Sequence, residues 1–415
     1  MHRAWAVALV GALLALGAAS PTGAVTGEQR VLVILATWGP TPFQAADVRR
    51  VVFTEADALL RRVSFGRVSL RGEVTSWLSV LPPSPECTDD FWAEGVPRSV
   101  STPAQAAAAA RGHRLSDFQR VIYVMPSSRC AFIGLGAGDE VLLNGALSPE
   151  LIVHELAHTW GVGHAGSAAC METCSLEEDG DYYSLMGIGS SDFTVAEKVG
   201  LGWLRPVAAT PRPGTYRITR ADRFSTRPAL RIPTALGSYW VEYRPQRVDL
   251  GRRGVLPGGL ILRWVSDEPI GDTLATTSVL MTNPTGRGRP VATRGETLRL
   301  PNVLNVAFVG RSGDDAIVRF RWTDRVAPRP PDILQPSGFS STSSTVRVRW
   351  EAPFERGSGV VSYRVTVDGG RAQVVRDREF FLRDLAAGAH FVSVSAIDRA
   401  GNRGLATIKR FEVVR

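Results

Sequence analysis

The sequence predicts a multidomain α+β protein in which one mixed α/β unit precedes two all-β sandwiches. Three observations carry that expectation. The chain has 415 residues, more than a single hydrophobic core usually organises. Its first half combines a continuous apolar run, Val31 to Ala36, with segments whose apolar residues recur at helical spacing. Beyond about residue 206 the pattern changes to short alternating runs separated by Gly, Pro and Asp.

Taken in order, the N-terminus reads as an export signal over residues 1–24. Met1-His2-Arg3 is a basic start, Ala4 to Ala19 an apolar run, and Ala18-Ala19-Ser20 and Thr22-Gly23-Ala24 are small-residue cleavage candidates. The apolar run is short for a membrane span and no later stretch is long enough, so a secreted chain without a membrane span is expected. The formal charge is +8, almost entirely from arginine, with Lys198 and Lys409 the only lysines. These charges mostly alternate with apolar residues, as on the solvent face of strands, which argues against nucleic-acid binding.

The first unit is expected over residues 25–205. Val31 to Ala36 suits a buried strand. Thr41-Pro42 opens a helix whose apolar face includes Val48, Val52, Ala56, Leu59 and Val63, and Gly66 ends it. Strands are expected around Val68 to Leu78 and Arg120 to Met125, with a helix through Ala104 to Ala110 between them, and Val141 to Leu143 just before the next helix. That helix has the strongest local signal. Ser148 supplies an N-cap hydroxyl, Pro149 fits the first helical position and Glu150 puts an acid in the first turn, so it should run from Pro149 to about Trp160.

On this helix the chain reads His154-Glu155-Leu-Ala-His158-Thr-Trp-Gly161-Val-Gly-His164, with three of the protein's six histidines in eleven residues. Imidazoles four residues apart share a helix face and can meet one metal ion, with Glu155 beside them. Gly161 permits a sharp turn that returns His164 as a third ligand. A lone histidine on an apolar face is ordinarily a satisfied core residue, and an isolated H-E-x-x-H arises by chance. The extended form fixes more positions. Three neutral imidazoles leave a zinc ion its charge and an open position, and Glu155 is the candidate general base. No nucleophilic serine or cysteine is identified.

Downstream, Met186 in Asp181-Tyr-Tyr-Ser-Leu-Met186-Gly187 follows His164 at an interval suited to the methionine turn beneath a metzincin zinc site. The combination resembles the metzincin zinc peptidases, and within them the gametolysin family. Four segments carry the resemblance: Ser64-Phe-Gly66 through Trp77, the histidine stretch to His164-Ala165, Gly180-Asp181 to Met186-Gly187, and Lys198-x-x-Leu-Gly-Trp203. It implies a zincin fold and a secreted zinc endopeptidase, with His154, His158 and His164 as ligands to one ion. By analogy an edge strand near Val141 to Leu143 would pair with extended substrate. Ile188 stands where some metzincins carry a tyrosine ligand, so none is expected.

Other residues leave alternatives open. The acidic loop Glu177-Glu178-Asp179-Gly180-Asp181 is either a calcium site or a solvated surface loop. Cys87, Cys130, Cys170 and Cys174 fit an oxidising destination. Three pairings exist on paper; Cys170 with Cys174 and Cys87 with Cys130 are favoured, and a second zinc site competes without a C-x-x-C pair to support it.

The second unit, residues 206–326, reads as a β-sandwich from Tyr216 to Ile218, Tyr239 to Tyr243, Gly259 to Val265, Thr297 to Leu300 and Ala316 to Trp322. Val326 to Pro331 is a proline-rich linker. Within residues 327–415, Val346 to Trp350, Tyr363 to Val367 and Phe391 to Ala396 alternate with period two, and Asp398 to Asn402 forms a turn. The Trp350, Tyr363 and Leu385 pattern resembles a fibronectin type III module, which implies a spacer or attachment role. The expected protein is thus a monomeric peptidase of extracellular or cell-wall proteins; the rival is a catalytically inactive adhesin that keeps the zinc fold. Intact Glu155 and the full histidine set favour the enzyme.

Overall fold

The computed structural model describes residues 23–81, 96, 98–128, 132–170, 174–189, 191–210, 212–234, 237–249, 254–270, 276–286, 289–336, 340–341, 344–355 and 357–414. Nearly all of the expected export signal, together with Cys87 and Cys130, lies outside these residues, as do the side chains of Cys170 and Cys174.

Strands β1 (Gly27–Thr37), β2 (Val68–Val74), β3 (Leu78–Ser79), β4 (Arg120–Met125), β5 (Gly134–Ala137) and β6 (Glu140–Asn144) form the first sheet, in the order β2-β1-β4-β6-β5 with β3 paired to β1. All pairings are parallel except β5 with β6. The apolar run in β1 is continuous because both faces of the sheet are covered. Val31, Val33 and Leu35 enter one core, and Leu32, Ile34 and Ala36 enter the other.

On the first face lie α1 (Ala45–Arg50) and α2 (Asp57–Val63), joined through a π-helical turn at Val51–Ala56. The helical segment therefore starts later than Thr41-Pro42 suggested, yet Val48, Val52, Ala56, Leu59 and Val63 all face the core. On the second face α3 (Arg98–Ala109) inserts Val100, Ala104 and Ala108, and it carries Pro103 in its first turns. The helix α4 (Pro149–His158) packs on the first face through Ile152, Val153, Leu156 and Ala157. The edge position corrects one expectation. Val141 to Leu143 belong to β6, which is internal; β5, which gave no strand signal because it reads Gly-Leu-Gly-Ala, is the edge.

Downstream come β7 (Ala165–Cys170), β8 (Cys174–Glu177) and α5 (Val195–Gly200), then β9 (Gly214–Thr219), β10 (Ala229–Pro233) and β11 (Gly237–Arg244). After the hairpin β12 (Arg247–Asp249) and β13 (Gly254–Leu256) follow β14 (Gly259–Ile270), β15 (Thr276–Met281), β16 (Val291–Ala292), β17 (Thr297–Leu300), β18 (Leu304–Ser312) and β19 (Asp315–Trp322). One sheet runs β10-β11-β14-β15-β7-β8 with β16 on β14, and the other runs β17-β18-β19-β9. Their facing side chains, among them Ile218, Val241, Leu262, Phe308, Val318 and Phe320, share one core.

A boundary at 205 does not separate these cores. Strand β7 pairs in parallel with β15, Ala165 opposite Ser278 and Met281 opposite Ala168. Ala165 is buried in the first core and Ala168 in the second. Small side chains let β7 serve both, and they also deny it any apolar periodicity.

The C-terminal region forms two further sheets from β20 (Ile333–Gln335), β21 (Ser340–Ser341), β22 (Val346–Trp350), β23 (Val360–Val367), β24 (Gln373–Val375), β25 (Glu379–Leu382), β26 (Gly388–Asp398) and β27 (Arg403–Val413). Their orders are β20-β22-β25 and β21-β27-β26-β23-β24. The alternating positions fill the core as expected: Val348, Trp350, Tyr363, Val365, Val392 and Val394 are all buried, with the Trp350 and Tyr363 rings edge to face at 5.3 Å. The proline-rich linker is tied at its start. Asp324 accepts from the Val326 N–H at 3.0 Å and from the Ser358 N–H at 2.8 Å.

Candidate metal centre

Local signals place α4. The Ser148 hydroxyl accepts from the Leu151 N–H at 3.1 Å, Pro149 follows it, and Glu150 lies in the first turn. Replacing Ser148 with alanine orphans that donor and should cost about 1 kcal/mol, read as a lowered Tm with the histidines untouched. At the other end Gly161 adopts φ +80°, the Gly161 N–H donates to the His158 carbonyl at 2.9 Å and the Val162 N–H to Ala157 at 3.1 Å. This left-handed glycine cap reverses the chain and brings His164 back toward the helix.

His154, His158 and His164 each offer a ligand nitrogen, and the three lie within 4.8 Å of one another. They are the only such group of His, Cys, Asp or Glu among the described residues. Backbone carbonyls fix two of the rings. His154 Nδ1 is 2.6 Å from the Leu185 oxygen and His158 Nδ1 is 2.8 Å from the Val162 oxygen. A carbonyl only accepts, so each Nδ1 carries the proton and each Nε2 presents its lone pair. Those Nε2 atoms are 3.0 Å apart. Two lone pairs so close suit a shared cation, and the chemistry of this donor set fits zinc.

For His164 a carboxylate takes the second role. Asp179 Oδ1 lies 3.0 Å from His164 Nδ1, out of line for a good hydrogen bond, so the contact is chiefly electrostatic. Burial lowers His154 to about 4 and His158 to about 3, the latter further depressed by its two neighbouring imidazoles. Both are neutral at physiological pH, as ligands must be. Glu155 is only 5% exposed, and burial pushes its carboxyl up to about 8 against the opposing Gly136 N–H, with the Asp179 charge adding to the rise.

Next to Leu185, Met186 is fully buried, its carbonyl accepting from the Ala165 N–H at 2.7 Å and its N–H donating to Ser184 Oγ at 3.0 Å. A cleft of about 760 Å³ opens above the histidine rings, walled by Ile133, Leu151, Leu185 and Ile188.

The acidic loop does not gather a cation shell. Asp179 faces His164, and Asp181 is fully buried against the Arg263 guanidinium while accepting from the Tyr183 N–H at 2.7 Å. Asp181 thus enters an ionic network that joins the methionine segment to β11 and β14. Arg263 Nε lies 3.4 Å from Glu242, which also receives Arg244 at 2.6 Å and the Val195 N–H at 2.8 Å. Lys198 is completely buried, 2.7 Å from Asp192. Glu197 accepts from Ser184 Oγ at 3.0 Å and closes a capping box with Thr194; burial raises its carboxyl to about 7. The Leu185 N–H donates to the Asp192 carbonyl at 2.7 Å, and the carbonyl of the same residue orients His154.

The structure therefore brings together His154, Glu155, His158 and His164, with Met186 one residue beyond the Leu185 carbonyl that meets His154. Sequence reasoning missed Asp179 as a histidine partner, the two orienting carbonyls, and Glu242, Arg244 and Arg263. Backbone carbonyls carry no residue-type signal. Charged residues inside alternating strands read as solvent-facing until a second element covers them. Cys170 and Cys174 are register partners across β7 and β8.

The gametolysin peptidase M11 family model matches residues 61–235, so this region is similar to that family of metallopeptidases. No curated protein matches the chain. Solved structures similar to parts of it include the fibronectin(III)-like modules of Clostridium thermocellum CbhA, at 15% identity over 20% of this chain and 99% of that one with a TM-score of 0.17. Others are the PKD1 domain of the Vibrio cholerae metalloprotease PrtV, at 16%, 22%, 100% and 0.18 on the same measures, and rat CD45 domains d3–d4, at 14%, 37%, 88% and 0.21. No helix among the described residues is long and apolar enough to cross a membrane.

Proposed function

We propose that the gametolysin-like region is a zinc-dependent endopeptidase with a metzincin-type fold, in which His154, His158 and His164 hold the metal and Glu155 is the general base. One observation carries this reading: the only metal-competent side-chain group among the described residues adjoins a buried carboxylate at the floor of an open cleft. A zinc ion at the triad would supply Lewis-acid polarisation of the scissile carbonyl and of the attacking water. With a cation held at the triad the Glu155 carboxyl would be drawn back below neutral pH; as a carboxylate it takes the proton from that water and passes it to the departing amine nitrogen. Edge strand β5 offers backbone hydrogen bonds to an extended peptide, which suits protein substrates without strong sequence preference. Asp179 and the carbonyls of Leu185 and Val162 hold the imidazoles in place.

The export signal and the cysteines support a secreted enzyme acting on extracellular or cell-wall proteins, with the C-terminal β units as spacers or attachment modules. The test is casein hydrolysis with and without a chelator, together with zinc analysis of His164→Ala. Chelation should abolish cleavage and added zinc restore it, while His164→Ala should lose bound zinc. Chelator-insensitive cleavage, or unchanged zinc in the variant, would sink the assignment.

A further inference from the structure

The edge strand β5 lies against α4 at the residue that the proposed mechanism uses. Residues 134 and 136 point to the same side of the strand, toward the helix, while Leu135 is buried in the opposite core. A Cβ on Gly134 would overlap the Glu155 carboxylate, meeting Cγ and Cδ at 2.8 Å and Oε1 closer still. A Cβ on Gly136 would overlap the Glu155 main-chain carbonyl and stand 3.0 Å from His158 Cβ. Neither glycine has a positive φ, so alanine is conformationally allowed at both and only the space is missing.

We infer that Gly134 is a positioning residue: its missing side chain leaves the volume in which the Glu155 carboxylate sits beside the histidine triad, whereas Gly136 sets the distance between β5 and α4. Side chains added at the two positions would meet different parts of Glu155, although the Gly136 N–H also bonds the Glu155 carboxylate. At Gly134 the obstructed atoms end a flexible side chain, which can swing aside without moving the backbone. At Gly136 the obstacle is helix backbone, so the strand itself must retreat. This inference rests on the endopeptidase reading and on Glu155 being its base.

The test compares Gly134→Ala and Gly136→Ala for Tm, zinc content, kcat and KM on a quenched peptide substrate. Gly134→Ala should keep its zinc, Tm and KM while kcat falls about 100-fold, the scale expected when a catalytic group moves by about 1 Å. Gly136→Ala should lower Tm. In a Glu155→Ala background, where no Cγ, Cδ or Oε1 remains opposite residue 134, adding Gly134→Ala should change the residual kcat less than two-fold. Full activity of Gly134→Ala overturns the inference, as does a Gly134→Ala protein that loses zinc or unfolds, or an additive effect in the double variant. Glu155→Gln separates the two levels: if it is inactive while Gly134→Ala is fully active, only the positioning role fails, and if it is active Glu155 is not the base and that part of the proposed mechanism fails first.

Discussion

Glu155→Gln should lose between about 10²- and 10⁴-fold in kcat/KM, the usual contribution of a general base, and retain its zinc. Glutamine preserves the volume that Glu155 fills against β5 and removes only the capacity to take a proton. The buried position makes the substitution mild for the fold, since an amide costs less to bury than a carboxylate at 5% exposure. Zinc content and Tm close to wild type, with peptide hydrolysis almost gone, is the expected combination. A variant that retains more than a tenth of wild-type activity would remove Glu155 from the mechanism.

The second large effect is expected far from the cleft in sequence. Arg263→Met should destabilise the protein by about 3–5 kcal/mol, because it leaves Asp181 charged and unpaired where neither side chain has any solvent exposure. The loss should reach the metal centre. Asp181 anchors the segment whose Leu185 carbonyl orients His154, so zinc affinity should fall together with Tm. Asp181→Leu combined with Arg263→Met removes both charges and should recover most of the Tm. If Arg263→Met keeps wild-type Tm and zinc affinity, the network is not what fixes the methionine segment. The same contacts predict that a chain ending at residue 205 will not fold alone, since β7 loses β15 and Glu242, Arg244 and Arg263 are absent.

Much of the candidate site was legible because it is local. The ligand spacing on α4, the Ser148 cap and the glycine reversal at 161 all depend on residues within a few positions of one another, and backbone geometry alone converts them into a shared face and a returning turn. The C-terminal strands were legible for a similar reason: alternation in Val346 to Trp350 or Tyr363 to Val367 states which side is buried without saying what buries it. What was misread has the opposite character. Strand β5 carries glycines where a strand signal needs branched or aromatic residues, and its place at the edge follows only from pairing with β6. Strand β7 is made of small residues that two cores share. Asp179 and Asp181 sit two positions apart in an acidic loop, yet one faces an imidazole and the other a buried guanidinium more than eighty residues away.

The histidine cluster, Glu155 beside it, the metzincin resemblance and the alternation of the β units were readable from the residues alone, since periodicity and short-range spacing act through the chain's own geometry. Tertiary structure decided which strand borders the cleft, what orients each imidazole, and that the first sheet and the following sandwich are bound by one strand and one buried ionic network. Those outcomes depend on contacts between residues far apart in the chain, where burial converts an ordinary surface charge into a structural partner and an ordinary glycine into room for a carboxylate.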